Sequence, residues 1–519
     1  MVMLLACSGA GVLDTALADS DTDTHADTET DTDTETDTDT DTDTDTDPLP
    51  DADGDGAPDA ADCDPSDPWT YPGAEEWCDL VDHDCDGEPL PAGVCDKLQT
   101  IEAVENVYLS SDSLVHLPSN LGDLDGDGRE EFSAVVYPST LALFTEPARE
   151  DQPLRDAARS LLALDGGGSH TLGLDFDGDG SGDIVTVFEG GYYRGNVWVL
   201  TGPFDDLPAE STVVTEASIG WEELAFADHL GYAAVVGEFN GDGRDDVLVS
   251  AWEADSLHGF LLTGRDDASG LLDLAAETAT TGSLRGKLAV LGDIDGDGLD
   301  DFVSDGGDAL TVYSGGDIVI GAQEDWSASA HTLTHSECGT FGIDTNGAAG
   351  DWSGDGVPDL AARCKDEADV YHFEFADGAL LSTATTFEDV AVGDWAITGT
   401  SWGTVAGLRD VHSIDSDTLP DYLLTTYSDV GDIDLQIHPL LSTDGIPAPG
   451  TDPSLLGRAW GLSVATESAH GLHALSGEFD GNAGMDIFAI VYLADEWGVT
   501  SGSDTYMVPG WGMDWNNLP

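Results

Sequence analysis

Positive charge is what this chain most lacks. Against 105 Asp and Glu it has 14 Lys and Arg, a formal charge of −91 at pH 7. Binding nucleic acid calls for a basic stripe that displaces phosphate counterions, so that class is excluded. Long apolar runs are missing too: no segment approaches the ~18 uninterrupted apolar residues of a membrane-spanning helix. Catalytic signatures are equally absent, with no G-x-S-x-G elbow and no H-E-x-x-H helix. His170, His229 and His470 recur at similar places before small Gly motifs, which suits a structural role. Cysteine is sparse, at seven residues.

What the chain has instead is carboxylate, laid down in patterns. The stretch Leu291–Asp301, LGDIDGDGLDD, puts oxygen side chains at Asp293, Asp295, Asp297 and Asp301, positions 1, 3, 5 and 9 of a short loop. Calcium takes six to eight oxygen ligands, and carboxylates spaced around a glycine turn supply them. The pattern recurs. Copy one offers Asp123, Asp125, Asp127 and Glu131; copy two, Asp175, Asp177, Asp179 and Asp183; copy three, Glu238, Asn240, Asp242 and Asp246. The run above is copy four. Copy five offers Asp351, Ser353, Asp355 and Asp359; copy six, Ser413, Asp415, Asp417 and Asp421; copy seven, Glu478, Asp480, Asn482 and Asp486. Copies five to seven are expected to bind more weakly, because Ser or Asn replaces a carboxylate and Thr418 and Ala483 replace the turn glycine.

An apolar run follows every loop: FSAVVY, IVTVF, VLVSAW, FVS, LAARC, YLLTTY and IFAIVYL. Short strands with Gly and Asp punctuation at a fixed period of tens of residues argue an all-β repeat fold. Four-stranded sheets repeated radially make a β-propeller. QTIEAVENVYL, ahead of the first loop, is expected to supply early strands of the first blade, and the tail from Tyr506 a closing strand or cap. Over roughly Lys97 to Pro519 the chain resembles the FG-GAP repeats of the integrin α-chain propeller. That resemblance implies seven blades and calcium loops in the hairpins of one face.

The rest of the chain divides in three. Residues 1–13 contain Leu4-Leu5-Ala6-Cys7, which resembles a bacterial lipobox with Cys7 as the lipidated residue, although the charged and apolar parts of a full signal peptide are missing. Residues 14–50 are an Asp-Thr run whose carboxylates repel and which has nothing to bury, so it is expected to be a disordered stalk. Residues 51–96 form a small acidic, Cys-rich module. Asp51, Asp53, Asp55, Asp59 and Asp62 stand at EF-hand positions 1, 3, 5, 9 and 12, while Pro58, Pro65 and Pro68 forbid the flanking helices. The module is similar to thrombospondin type 3 calcium repeats, and closer still to an Asp/Cys motif of bacterial surface proteins that include copper-binding ones. Cys63, Cys78, Cys85 and Cys95 cluster here, and Cys338 and Cys364 flank the fifth loop. If Cys7 is modified, the other six can form three disulfides in an oxidising compartment. A Cys338–Cys364 bridge and two free buried thiols are equally compatible with the sequence.

These readings converge on a calcium-binding, non-enzymatic protein of the cell surface or the secreted fraction. It would bind a protein or glycan partner and touch the membrane only through a lipid anchor. Gly191-Tyr192-Tyr193-Arg194 is a candidate binding tip, and Trp69 and Trp252 are further aromatic candidates. Two alternatives stay open: capture of copper (Cu2+) by residues 51–96, and a polysaccharide lyase or hydrolase built on a calcium propeller.

Overall fold

The computed structural model describes most of residues 97–511. Its breaks include 101–105, 165–168, 189–194, 223–229, 281–283, 344–348, 352–353, 367–370, 398–406, 412–420, 429–433, 441–459, 465–468, 480–484 and 495–499; within 51–96 it describes Ala57, Pro58, Ala61, Pro72 and Cys85. The chain divides into two units, Met1–Pro50 and Asp51–Pro519. The architecture below is that of the second.

Six of the seven acidic loops end at their ninth position on the first residue of a strand, and in the seventh Asp486 is the second residue of Met485–Ala494. Glu131–Val136, Asp183–Phe188, Asp246–Glu253, Asp301–Asp305, Asp359–Asp366 and Asp421–Ser428 all start in this way. Such a strand is the second of an antiparallel meander. In the first sheet the strands run Val115–Gly122, Glu131–Val136, Thr140–Phe144 and Ser160–Ala163, each paired with the next. The second sheet repeats the order with Ser169–Leu174, Asp183–Phe188, Asn196–Leu200 and Ile219–Glu222. The described strands fall into seven such sheets.

A fifth strand joins most sheets on the outside, in parallel, and comes from the segment just ahead of the next sheet's fourth strand. Glu210–Thr212 lies along Ser160–Ala163, and Gly270–Leu272 along Ile219–Glu222. The first strands of successive sheets neighbour one another inside, from Ala469–Gly477 to Val115–Gly122, to Ser169–Leu174, to Ala234–Gly237 and to Leu288–Gly292. Face-packed meanders whose first strands line the inside form a β-propeller.

Packing explains the sequence pattern. A blade between two neighbours buries both faces, so its middle strands read as continuous apolar runs rather than alternating ones. Asp183–Phe188 and Asn196–Leu200 are buried throughout. The apolar clusters accordingly straddle pairs of sheets, with Phe239, Phe302, Leu261 and Trp326 packing the third against the fourth.

The N-terminal end departs from expectation. Val107–Ser110 is not an early strand of the first blade; it is the fourth strand of the last, paired antiparallel with Thr500–Trp511. Lys97–Thr100 lies parallel to Trp460–Val464 in the sheet before that. Of the two roles open to the tail, the strand is present: Tyr506 sits within Thr500–Trp511, the third strand of the sheet that Val107–Ser110 joins. Ring closure therefore falls to the N-terminal strand. Its cost in chain entropy is offset by the core it completes: Phe132 stacks on Phe144 at 4.5 Å and meets Phe488 at 4.8 Å, beside Val107, Leu109 and Met507.

Candidate metal centre

The five described loops share one backbone. The position 1 carboxylate accepts the N–H of the position 4 glycine, at 2.7 Å from Gly126, 2.9 Å from Gly178, 2.6 Å from Gly241, 2.7 Å from Gly296 and 2.8 Å from Gly354. Its other oxygen accepts the position 6 glycine, from 2.5 Å for Gly243 to 3.1 Å for Gly180. Both glycines lie in the left-handed region, Gly296 at φ 81° and Gly298 at 90°, where a Cβ would be strained. The turn glycines are thus a backbone requirement, and the carboxylate that organises the turn is also the first candidate ligand.

Position 9 does a different job. Asp183, Asp246 and Asp301 are buried at the base of their loops and accept the position 2 N–H from Phe176 at 2.9 Å, Phe239 at 3.1 Å and Ile294 at 3.0 Å. A second oxygen holds the chain beyond the third strand, at Gly202 N (2.8 Å), Gly264 N (2.8 Å) and Gly315 N (2.9 Å). Glu131 accepts Leu124 N at 2.6 Å, but its Oε1 is buried with no hydrogen-bond partner among the described residues. Burial, reinforced by the neighbouring loop carboxylates, pushes Glu131 and Asp246 up to about 7 and Asp183 and Asp301 up to about 6.

Carboxylate oxygens converge to within 4.8 Å of one another in three loops: Asp123, Asp125 and Asp127; Asp175, Asp177 and Asp183; and Asp293, Asp295 and Asp297. Three mutually repelling oxygens at this separation form an all-oxygen donor set suited to a hard divalent cation. Loop three differs. Asn240 Oδ1 accepts Asp242 N at 2.9 Å, which turns its amide N–H toward Asp246 Oδ1, also at 2.9 Å. A donor thus stands where its neighbours present a carboxylate. In loop five, Asp351 and Asp355 hold the turn and Asp359 accepts Gly378 N at 3.0 Å. Asp179 accepts Ser181 N at 2.7 Å. Asp486 is buried at the head of its strand pairing.

Adjacent loops are tied together, which residue spacing did not reveal. Asp245, at position 8 of loop three, accepts Asp175 N at 2.7 Å and donates its own N–H to Asp175 O at 3.1 Å. Asp300 of loop four does the same to Glu238, at 2.8 and 2.9 Å. Arg244 Nε reaches Asp177 O at 3.0 Å. Position 8 acids therefore serve the preceding loop.

Ser353, Ser413, Asp415, Asp417, Glu478, Asp480 and Asn482 lie outside the described residues, as do Asp51, Asp53, Asp55, Asp59, Asp62, Cys7, Cys63, Cys78, Cys95, Trp69 and the 191–194 tip; so do the side chains of Asp421 and Trp252. Cys85 is disulfide-bonded. Cys338 and Cys364 form a disulfide with their Cα atoms 5.3 Å apart, so of the two states open in the sequence the bridged one is present.

Known proteins add two short correspondences. A family described as “Putative metal-binding motif”, of the copper-binding MopE type, matches residues 62–89. Integrin alpha pat-2 of Caenorhabditis briggsae is 32% identical over 77 residues, 15% of this chain and 6% of that protein. The chain spans only a small part of the integrin it matches. Among solved structures, BBS1N in complex with ARL6DN aligns over 78% of this chain and 96% of its own at 10% identity and TM-score 0.41. The exotype rhamnogalacturonan lyase YesX aligns over 78% and 67% at 14% identity and TM-score 0.35. Among the described residues no helix is long and apolar enough to cross a membrane.

Proposed function

We propose that this chain is a calcium-stabilised binding propeller that works outside the cell or at its surface, as an adhesion module for a protein or glycan. The observation that carries the reading is Glu131 Oε1, buried with no hydrogen-bond partner among the described residues, at the end of the loop in which the Asp123, Asp125 and Asp127 carboxylates converge. When bound, calcium would add positive charge to carboxylates of which, in loop one and among the described residues, only Asp127 is already ion-paired, with Arg129. Asp123, Asp125, Asp127 and Glu131 would hold it in loop one, Asp175, Asp177 and Asp183 in loop two, and Asp293, Asp295 and Asp297 in loop four. The chain's own residues do the rest: the glycine turn orients position 1, and position 9 anchors the loop to the hairpin behind it.

The extracellular assignment draws support from the integrin-like stretch and the metal-binding motif. Lipid anchoring through Cys7 belongs to the same reading. The 62–89 match favours a second reading, in which residues 51–96 capture copper and the propeller is their scaffold. Elemental analysis of the purified full chain, paired with melting in chelator, separates the two. Several calcium ions per chain and a large fall in Tm are expected, since each site at a hundredfold excess over Kd stabilises the fold by about 2.7 kcal/mol. One copper with no calcium and an unchanged Tm would reject the calcium reading.

A further inference from the structure

A second constellation lies away from the acidic loops, where the fourth and fifth sheets join. His335 sits in the turn between His331–Thr334 and Cys338–Ile343; Cys364 is on Asp359–Asp366 and Glu374 on Tyr371–Ala376. A ring nitrogen of His335, the sulfurs of Cys338 and Cys364 and a Glu374 oxygen lie within 4.8 Å of one another. The place is largely sheltered: the side chains of His335 and Glu374 are 4% and 12% exposed, Cys364 is buried and Cys338 is half-buried. His335 Nε2 stands 2.8 Å from Glu374 Oε2, while Nδ1 accepts Glu337 N at 3.2 Å and lies 3.5 Å from Glu388 Oε1.

A disulfide needs neither an imidazole nor a carboxylate against it, yet here the two meet at 2.8 Å beside the bridge. Two sulfurs, an imidazole nitrogen and a carboxylate oxygen are, however, a complete tetrahedral donor set for zinc. We propose that the Cys338–Cys364 bridge gates a metal site: once reduced, the two thiolates, His335 Nε2 and Glu374 take up a zinc-type divalent cation. The reductant is a small-molecule dithiol. Its two electrons and two protons open the S–S bond to two thiols, and it departs as its own cyclic disulfide. The cation then displaces both thiol protons to solvent and forms two S–metal bonds. The imidazole proton moves from Nε2 to Nδ1, where Glu388 accepts it and Glu337 N–H gives up its place. A carboxylate behind a ligating histidine fixes ring and tautomer, so Glu388 is a positioning residue. The soft donors set this site apart from the all-oxygen loops.

The test is a cobalt titration of the full chain under a phosphine reductant without oxygen. Cys63, Cys78, Cys85 and Cys95 contribute to every sample, so the reduced Cys338→Ser/Cys364→Ser variant is the reference. Reduced wild type should bind one more cobalt than that variant, with added thiolate-to-cobalt absorption, and the oxidised chain should not. Glu388→Gln should weaken this extra equivalent by about 10- to 100-fold. Equal cobalt uptake by reduced wild type and variant overturns the proposal. A second measurement needs no variant: zinc added after reduction should slow alkylation of Cys338 and Cys364 several-fold, mapped by mass spectrometry. Unchanged labelling of both cysteines overturns the proposal as well.

Discussion

Loops three and four are neighbours with the same turn, yet they offer a cation different things. Loop four gathers Asp293, Asp295 and Asp297 around one point. Loop three reaches the same turn with Glu238, one methylene longer, and with Asn240, whose amide N–H already satisfies Asp246. One loop is closed by its own hydrogen bonds; the other is left with converging charge that a cation would relieve. Backbone shape is therefore a poor guide to occupancy. Under the proposed function, the group at position 3 is expected to set it.

The largest expected effect comes from removing the first carboxylate in each loop. Asp293→Ala should cost about 3 kcal/mol in calcium, combining lost ligation with lost turn acceptors, and clearly less in chelator. Glu238→Ala should cost about the same in both, because it loses only hydrogen bonds. Denaturant melts of both variants with and without calcium check this; equal calcium dependence would erase the distinction between the loops.

A pH series in chelator comes next. The position 9 carboxylates have folded pKa values raised to about 6 for Asp183 and Asp301 and about 7 for Glu131 and Asp246, against ordinary values of 3.8 and 4.5. A raised carboxylate contributes stability that is complete below its unfolded value and is lost as pH rises through the folded one. Without metal, Tm should fall between about pH 4 and pH 7 and then level off. With calcium the slope should reverse, because protons and cation compete for the same oxygens. Parallel curves in the two conditions would remove position 9 from the metal centre.

Asn240→Asp probes the comparison from the other side. A carboxylate facing Asp246 should lower stability in chelator by about 1 kcal/mol and recover it in calcium, giving loop three the behaviour of loop four. No gain on adding calcium would mean that the longer Glu238 sets the difference. Asp300→Asn should have the smallest effect, about 1 kcal/mol or less, from a weakened bond to Glu238 N. Its informative readout is hydrogen exchange at Glu238, in the preceding loop, which should quicken.

Much of this was legible in the residue order. The nine-residue spacing located the loops, and the apolar runs after them located the second strands, because both depend on local chemistry. Copies six and seven carry Thr418 and Ala483 where the turn glycine belongs, and the φ near 90° at Gly298 gives the reason such copies are the doubtful ones. What spacing could not reveal were contacts between distant residues: Asp300 serving Glu238, Asp245 serving Asp175, and His335 meeting Glu374 beside the 338–364 bridge. Position 8 lies outside the ligand positions 1, 3, 5 and 9 read from sequence, and no local signal marks it.

By itself, the sequence determined the acidic character, the exclusion of a basic nucleic-acid surface, the repeated oxygen-rich turn and the all-β repeat architecture. Each follows from charge, side-chain type and short-range φ/ψ preference. Only the tertiary structure decided that Val107–Ser110 closes the last sheet, that the two cysteines flanking loop five are bonded, and which loops bring three carboxylates together. Those outcomes depend on which distant surfaces bury one another, and free energy of that kind is shared between segments rather than carried by any one of them.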